Sequence, residues 1–204
     1  MGLYERYIVP KIIDWSMRNK RLADERRRFV PLASGRVLEI GIGSGLNLPF
    51  YSSRVERLFG LEPSTQMRRM ASRRIEDAPF PVDFLGLSGE DIPAENETFD
   101  TVLSTWTLCT IPDVRRALKE MRRVLKPHGR FIFVEHGRAP ERTVALWQDR
   151  LNGIWKRLGG GCNLNRRIDA LIAEAGFEIA EIDKGYIRGP KPMTFLYRGI
   201  ARRA

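Results

Sequence analysis

The stretch VLEIGIGSGLNLPFY, Val37 to Tyr51, decides the reading of this chain. An apolar run carrying one acid, Glu39, is followed by Gly41, Gly43 and Gly45 at every second position. An apolar run that ends in clustered glycines reads as a buried strand leading into a turn where backbone approaches a ligand. A dinucleotide fold would carry G-x-G-x-x-G, with the pyrophosphate on a helix N-terminus. Here the third glycine comes one place early, and Glu39 stands two residues before the first. A carboxylate repels a pyrophosphate and attracts an ammonium or a sulfonium. The next apolar run, RLFGLEP, ends in Glu62, 17 residues after Gly45. An acid at about that distance holds ribose hydroxyls on its two oxygens. A ribose beside a tolerated positive charge, with no phosphate, describes S-adenosylmethionine.

Outward from this stretch, short apolar runs alternate with amphipathic ones. PVDFLGL, FDTVLSTW and RFIFVEHG read as the third, fourth and fifth strands. STQMRRMASRRIEDA offers Ser64 and Thr65 as N-caps, then Met67, Met70 and Ile75 at helical spacing. DVRRALKEMRRVLKPHG predicts a helix that begins near Asp113, presents Val114, Leu118, Met121 and Leu125 on one face, and stops at Pro127 and Gly129. RRIDALIAEAGFEIAEID predicts a helix ended by Gly176 and then a strand, with TFLYRGIARR following as its antiparallel partner. The predicted fold is therefore α/β: a Rossmann-like, doubly wound, mostly parallel seven-stranded sheet with an antiparallel C-terminal strand and an N-terminal helical extension. Residues 1–33 are expected to form that extension, and residues 34–204 the domain proper.

In the extension, Ile12, Trp15, Leu22 and Phe29 fall on one helical stripe amid Arg and Lys, with Pro10 opening the helix. Such a helix either lies in a membrane interface or packs over the domain and closes its site. Gly2 lacks an acylation signal, because Arg6 occupies the place of the required Ser or Thr. The formal charge of +10 suits an anionic membrane, a nucleic acid or an acidic partner, and equally a soluble protein rich in arginine. No apolar run reaches the ~20 residues of a membrane span. A cytoplasmic location is expected, free or peripheral on a membrane face. The two cysteines, Cys109 and Cys162, read as free thiols there. With only His128 and His136 beside them, the ligands are too few for a structural zinc site, and no intrinsic metal is expected.

The order E-x-G-x-G-x-G, the acid in LEP, SGEDIP, FDTVLS and RVLKPHGRFIFVEH, spanning roughly Val37 to His136, resembles a class I methyltransferase. The resemblance implies that Glu39 and Gly41, Gly43 and Gly45 surround the methionine part, and that Glu62, followed by Pro63, holds the ribose. Ser88, Gly89 and Glu90 would flank the adenine, though many relatives have Asp where Ser88 stands. Ser104 and Thr105 would line the methionyl end. Asn47 and Tyr51, after the glycine loop, are placed to contact the cofactor as a lid.

GLNLPFY, STWTLCTIPD, FVEHG, LWQDRLNGIWKRLGGGCNLNRR and LYRGIAR are further similar to the methyltransferase-like thiol S-methyltransferases, a family related to quinone and phospholipid methylases. That likeness implies a thiol acceptor first, and a phospholipid amine or a quinone carbon second. In those relatives the basic segment IIDWSMRNKR follows a membrane anchor, which leaves binding of residues 1–33 to an anionic membrane surface open. His136, at the end of the fifth strand, is the candidate base. Trp106, Cys109, Cys162 and Asn163 are the candidate acceptor contacts. Asn165 is expected to cap a helix beginning near Arg166, His128 to face solvent, and Trp147 and Trp155 to sit in the core. Base amino-methylases carry Asn or Asp, Pro-Pro and an aromatic where this chain reads STWTLC, which argues against nucleic acid as substrate. A non-enzymatic, membrane-docking cofactor binder is the remaining alternative.

Overall fold

The computed structural model describes residues 7–204; Gly2 and Arg6, with the rest of the first six residues, lie outside them. In chain order the strands are β1 (Gly35–Ile40), β2 (Val55–Leu61), β3 (Val82–Gly86), β4 (Phe99–Thr105), β5 (Leu125–His136), β6 (Phe177–Tyr186) and β7 (Phe195–Arg203). They form one sheet in the order β3-β2-β1-β4-β5-β7-β6. The first five pair in parallel, and β7 runs antiparallel to both β5 and β6. This is the architecture the alternation of patterns predicts.

The helices are α1 (Val9–Met17), α2 (Lys20–Phe29), α3 (Thr65–Glu76), α4 (Val114–Val124), α5 (Arg142–Leu158) and α6 (Ile168–Glu174). Successive strand residues point to opposite faces. Leu38, Val102 and Phe131 pack with Leu118 and Met121 of α4 and with Ile172 of α6 on one face. Val37, Leu103 and Ile132 pack with Val30 and Leu58 on the other. Both faces of β1 and β4 are covered, which is why adjacent residues such as Val37 and Leu38, and Val102 and Leu103, are apolar and buried. The order reverses between β1 and β4, and ligands bind in the crevice at the carboxyl ends of such strands.

Local differences from the sequence reading have local causes. The extension is two helices, because Asn19 turns extended and its side chain accepts the Leu22 N–H at 3.2 Å, opening α2. The single stripe therefore splits: Leu22 is buried while Trp15 is 78% exposed. α4 is capped by Asp113 as expected but gives way to β5 at Leu125, ahead of Pro127 and Gly129. Lys126, directly before Pro127, disfavours helical backbone, so the helix ends before it. α6 begins at Ile168 without a side-chain cap, and Asn165 instead donates to Asp149 at 2.8 Å. Trp147 is 54% exposed rather than in the core, with the Arg150 guanidinium 5.6 Å from its ring centre. Trp155 is half-buried and His128 exposed.

Candidate active site

The glycine turn follows β1 directly. Gly41, Gly43 and Gly45 all hold positive φ, at 69°, 58° and 78°. A Cβ on Gly41 would lie 2.6 Å from the Thr107 side chain, so this glycine lets the turn pack against the end of β4. A Cβ on Gly43 would meet only a backbone oxygen, at 3.9 Å, so the space above it is open to a ligand. The Gly43 N–H donates to Glu62 Oε2 at 3.0 Å, and the Ser64 N–H to Glu62 Oε1 at 2.8 Å. Both oxygens of Glu62 are thus fixed at the end of β2, each with a lone pair remaining. Pro63 beside it is exposed.

Glu39 is the hub of the opposite wall. Its two oxygens accept from Asn47 Nδ2 at 2.7 Å and from the Tyr51 hydroxyl at 2.8 Å. Burial pushes its carboxyl up to about 7, against the pull of those bonds and of Arg26. Asn47 also donates to Thr105 Oγ1 at 2.9 Å and accepts from Arg26 Nε at 3.0 Å. Asn47 and Tyr51 therefore hold Glu39 in place, a role their position after the glycines did not suggest. Ser104 is fully buried with its hydroxyl on Glu135 Oε1 at 2.7 Å, so its side chain supports the strand end rather than lining the pocket.

The loop after β3 is tied down in a similar way. Glu90 accepts from the Asp113 N–H at 2.5 Å and from Ser88 Oγ at 3.2 Å, linking this loop to the start of α4. Gly89 is buried, and a Cβ there would lie 3.3 Å from Ile40 Cγ2 at the end of β1.

The N-terminal helices lie across this ground. In α1, the buried Asp14 accepts the Ser44 hydroxyl at 2.5 Å and pairs with Arg18. In α2, Arg26 is buried, donates to Met17 O at 2.9 Å, and stands 4.9 Å from the Trp106 ring centre. Composition signalled a basic helix; only the fold shows that one of its arginines points inward.

Trp106, expected from the sequence to contact the acceptor, follows β4 with φ 51°, a left-handed conformation that costs a bulky residue roughly 1–3 kcal/mol. Glu135, fully buried on β5, accepts the N–H groups of Thr107 at 3.1 Å and Leu108 at 3.0 Å, which stabilises that turn. Burial raises its carboxyl to about 7. Glu135 escaped the sequence reading, although it sits inside the quoted FVEH and a lone acid in an apolar strand was its signal.

His136, Cys109 and Cys162 converge beyond it. Their donor atoms all lie within 4.8 Å of one another. Cys162 Sγ is 3.8 Å from His136 Nδ1, and His136 Nε2 is buried with no hydrogen-bond partner among the described residues. The Cys109 thiol and His136 hold Cys162 below the usual thiol range, while the same thiol pairing and burial push Cys109 up. Asn163 fastens the loop: its N–H and Nδ2 both donate to Cys109 O, at 2.8 and 2.9 Å. Nδ2 also donates to Gly161 O at 3.2 Å, so Asn163 positions Cys162. Gly160 and Gly161 carry the turn at φ 62° and 93°. Arg166 donates to Leu108 O and closes the same junction.

A doubly wound sheet carries, at the carboxyl ends of its strands, a glycine turn between two buried acids, Glu39 and Glu62. Residues 38–133 match the family described as Methyltransferase domain. The chain is 32% identical over 170 residues to the human thiol S-methyltransferase TMT1B, covering 80% of this chain and 68% of that protein. It is 30% identical over 174 residues to the phosphatidylethanolamine N-methyltransferase of Cereibacter sphaeroides, covering 83% and 84%. A solved methyltransferase from Thermotoga maritima superposes with a TM-score of 0.68 over 98% of each chain, at 23% identity. The chain belongs to the S-adenosylmethionine-dependent methyltransferases. It is an enzyme of that class, and its cofactor is S-adenosylmethionine, left as S-adenosylhomocysteine after transfer. No helix among the described residues is long and apolar enough to cross a membrane.

Proposed function

We propose that the enzyme methylates a small or lipophilic thiol. The observation that carries this choice is the cluster of soft and basic donors, Cys109, His136 and Cys162, at the acceptor end of the pocket. The similarity to thiol S-methyltransferases over most of the chain supports it. In this reading Glu62 takes the ribose hydroxyls, and the loop Ser88-Gly89-Glu90 takes the adenine edge. Glu39 faces the cofactor's ammonium and Arg26 its carboxylate, so the amino-acid end is held by opposite charges. Trp106 and the buried turn beneath it form the wall along which the acceptor lies. The acceptor sulfur attacks the methyl carbon in line with the departing sulfonium sulfur, in a site that α2 shields from water. A free thiol, with pKa near ~8.5, is only a few per cent thiolate at neutral pH. His136 and its two cysteine neighbours are assigned the task of supplying the deprotonated form.

The test is release of S-adenosylhomocysteine by purified protein with and without a small aliphatic thiol, alongside Glu62→Ala. Thiol-dependent release that vanishes in the variant supports the reading. Cofactor binding without release across a panel of thiols overturns it in favour of phospholipid amines or quinones.

An exposed apolar ridge supports delivery of the acceptor from an anionic membrane surface. α1 exposes Ile12 and Trp15 at 51% and 78%, and α5 exposes Ile154 and Leu158 at 64% and 69%. A Cβ on Gly160 would lie 2.9 Å from Ile13, which sets α1 beside the end of α5. Trp15→Ala is expected to weaken co-sedimentation with anionic vesicles several-fold, and unchanged binding would remove this role.

A further inference from the structure

We infer that Cys109, His136 and Cys162 form a three-donor site for a zinc ion whose fourth position receives the acceptor thiolate. The inference rests on the thiol reading above for the fourth ligand, but the metal site itself does not.

The geometry comes first. Zinc takes Cys sulfur at about 2.3 Å and His nitrogen at about 2.0–2.1 Å, which in a tetrahedron separates neighbouring donors by roughly 3.5–3.8 Å. Cys162 Sγ and His136 Nδ1 already stand 3.8 Å apart, and all three donor atoms fit within 4.8 Å. Closing the set requires side-chain adjustments of about 1 Å or less. The donors sit on anchored backbone: Cys109 is in the turn held by Glu135, His136 ends β5 in register with Leu196 of β7, and Cys162 is held through Asn163. Two sulfurs and one imidazole suit zinc over magnesium or calcium, which prefer oxygen. Three protein ligands with an open fourth position are the catalytic form of such a site, whereas a structural site closes with four. The sequence count of too few cysteines and histidines excludes only the structural form.

A fourth position left to an exogenous ligand would set what the cluster does. An acceptor thiol displaces water there and loses its proton to solvent, forming a zinc-bound thiolate at neutral pH. A sulfur lone pair forms the new bond to the methyl carbon. The bond from that carbon to the sulfonium breaks, and its electron pair stays on the sulfur of S-adenosylhomocysteine. The product thioether is uncharged, binds zinc weakly and leaves. One proton is released per turnover, and no oxidant or reductant is needed.

The test uses the full chain under a non-thiol reductant, stripped with chelator and titrated with zinc alone, then with cobalt(II). The expected result is one zinc per chain, with affinity falling at least 100-fold in Cys109→Ser, Cys162→Ser and His136→Ala. Because the chain has two cysteines, a cobalt spectrum with two-thiolate charge-transfer intensity has no other source within one chain. Melting curves of each variant separate lost ligation from lost folding. If a substitution unfolds the chain, the wild-type cobalt spectrum still decides. Zinc binding at background level, or a cobalt spectrum without thiolate bands, overturns the site. A small aliphatic thiol is then added to the cobalt form. Growth of the thiolate band supports the fourth ligand, and no change overturns that part. Zinc bound without thiol turnover would fault the thiol reading and leave the metal site standing; thiol turnover unaffected by chelation would overturn zinc's part in the transfer and leave the thiol reading standing.

Discussion

On the proposed cofactor side, Glu39, Gly41, Gly43, Asn47, Tyr51 and Glu62 come from one β1–turn–β2 unit. On the proposed acceptor side, Cys109, His136 and Cys162 come from the end of β4, the end of β5 and the loop after α5. The first group is stabilised by contacts between near neighbours, such as Gly43 with Glu62 and Tyr51 with Glu39. The second is stabilised at long range, by Glu135 under the turn and by Asn163 on Cys109. A local unit can keep one cofactor geometry while the distant loops that define the acceptor change. The two relatives are named for different acceptors, a thiol in one and phosphatidylethanolamine in the other.

The most direct way to break this division is Glu62→Ala. It removes the proposed ribose acceptor and the partner of two backbone N–H groups, at 2.8 and 3.0 Å. Hydrogen bonds to a charged group contribute about 1.5–3 kcal/mol each. Two such bonds, from the ribose hydroxyls in the proposed reading, correspond to roughly 100-fold or more in cofactor affinity, read by calorimetry. Retained affinity would mean that the β1–turn–β2 unit is not where the cofactor is held.

Glu135→Ala tests the other half. It strands the Ser104 hydroxyl and the N–H groups of Thr107 and Leu108 in a fully buried place. An unsatisfied buried donor costs about 1–3 kcal/mol. At the lower bound, three such donors cost about 3 kcal/mol, which for a chain of 204 residues predicts a melting temperature lower by at least roughly 6–12 °C. Turnover should fall further than cofactor affinity does, since the turn carries Trp106 and Cys109. Equal losses in both would show that the halves are mechanically one.

The same division explains what was legible in the sequence. Strands β1 to β5 are apolar runs punctuated by Gly, Pro and Asp, and their order follows from strand–helix alternation. Glu39 and Glu62 are visible because their spacing to the glycines is fixed within one supersecondary unit. His136, Cys109 and Cys162 were each visible singly. That they meet depends on the β4–β5 pairing and on the Gly160–Gly161 turn, which no spacing encodes. Arg26 was hidden for a related reason: among many arginines, burial alone distinguishes it. Glu135 was hidden because an acid in a strand reads as an edge or a misfit until its three donors are seen.

The smallest expected effect sharpens the comparison by pH. Burial lifts Glu39 to about 7 in the free enzyme. A cation is bound by the ionised form, so cofactor affinity should weaken below pH 7, by up to about tenfold per unit. The folded carboxyl holds its proton where the unfolded one, near 4.5, has lost it. This contribution to stability is full below about 4.5 and is lost as pH rises through about 7. Glu135, lifted to about 7 as well, acts in the same direction. The free enzyme should therefore melt higher at pH 6 than at pH 8, and the cofactor should raise the melting temperature more at pH 8 than at pH 6. Glu39→Gln should flatten the pH dependence of cofactor binding while leaving the contribution of Glu135 to melting. Cofactor affinity that stays level from pH 8 to pH 6 in the unmodified enzyme would show that Glu39 does not face the cofactor's positive charge. The anion that separated this glycine turn from a phosphate-binding one would then need another purpose, such as holding Asn47 and Tyr51 beneath Arg26.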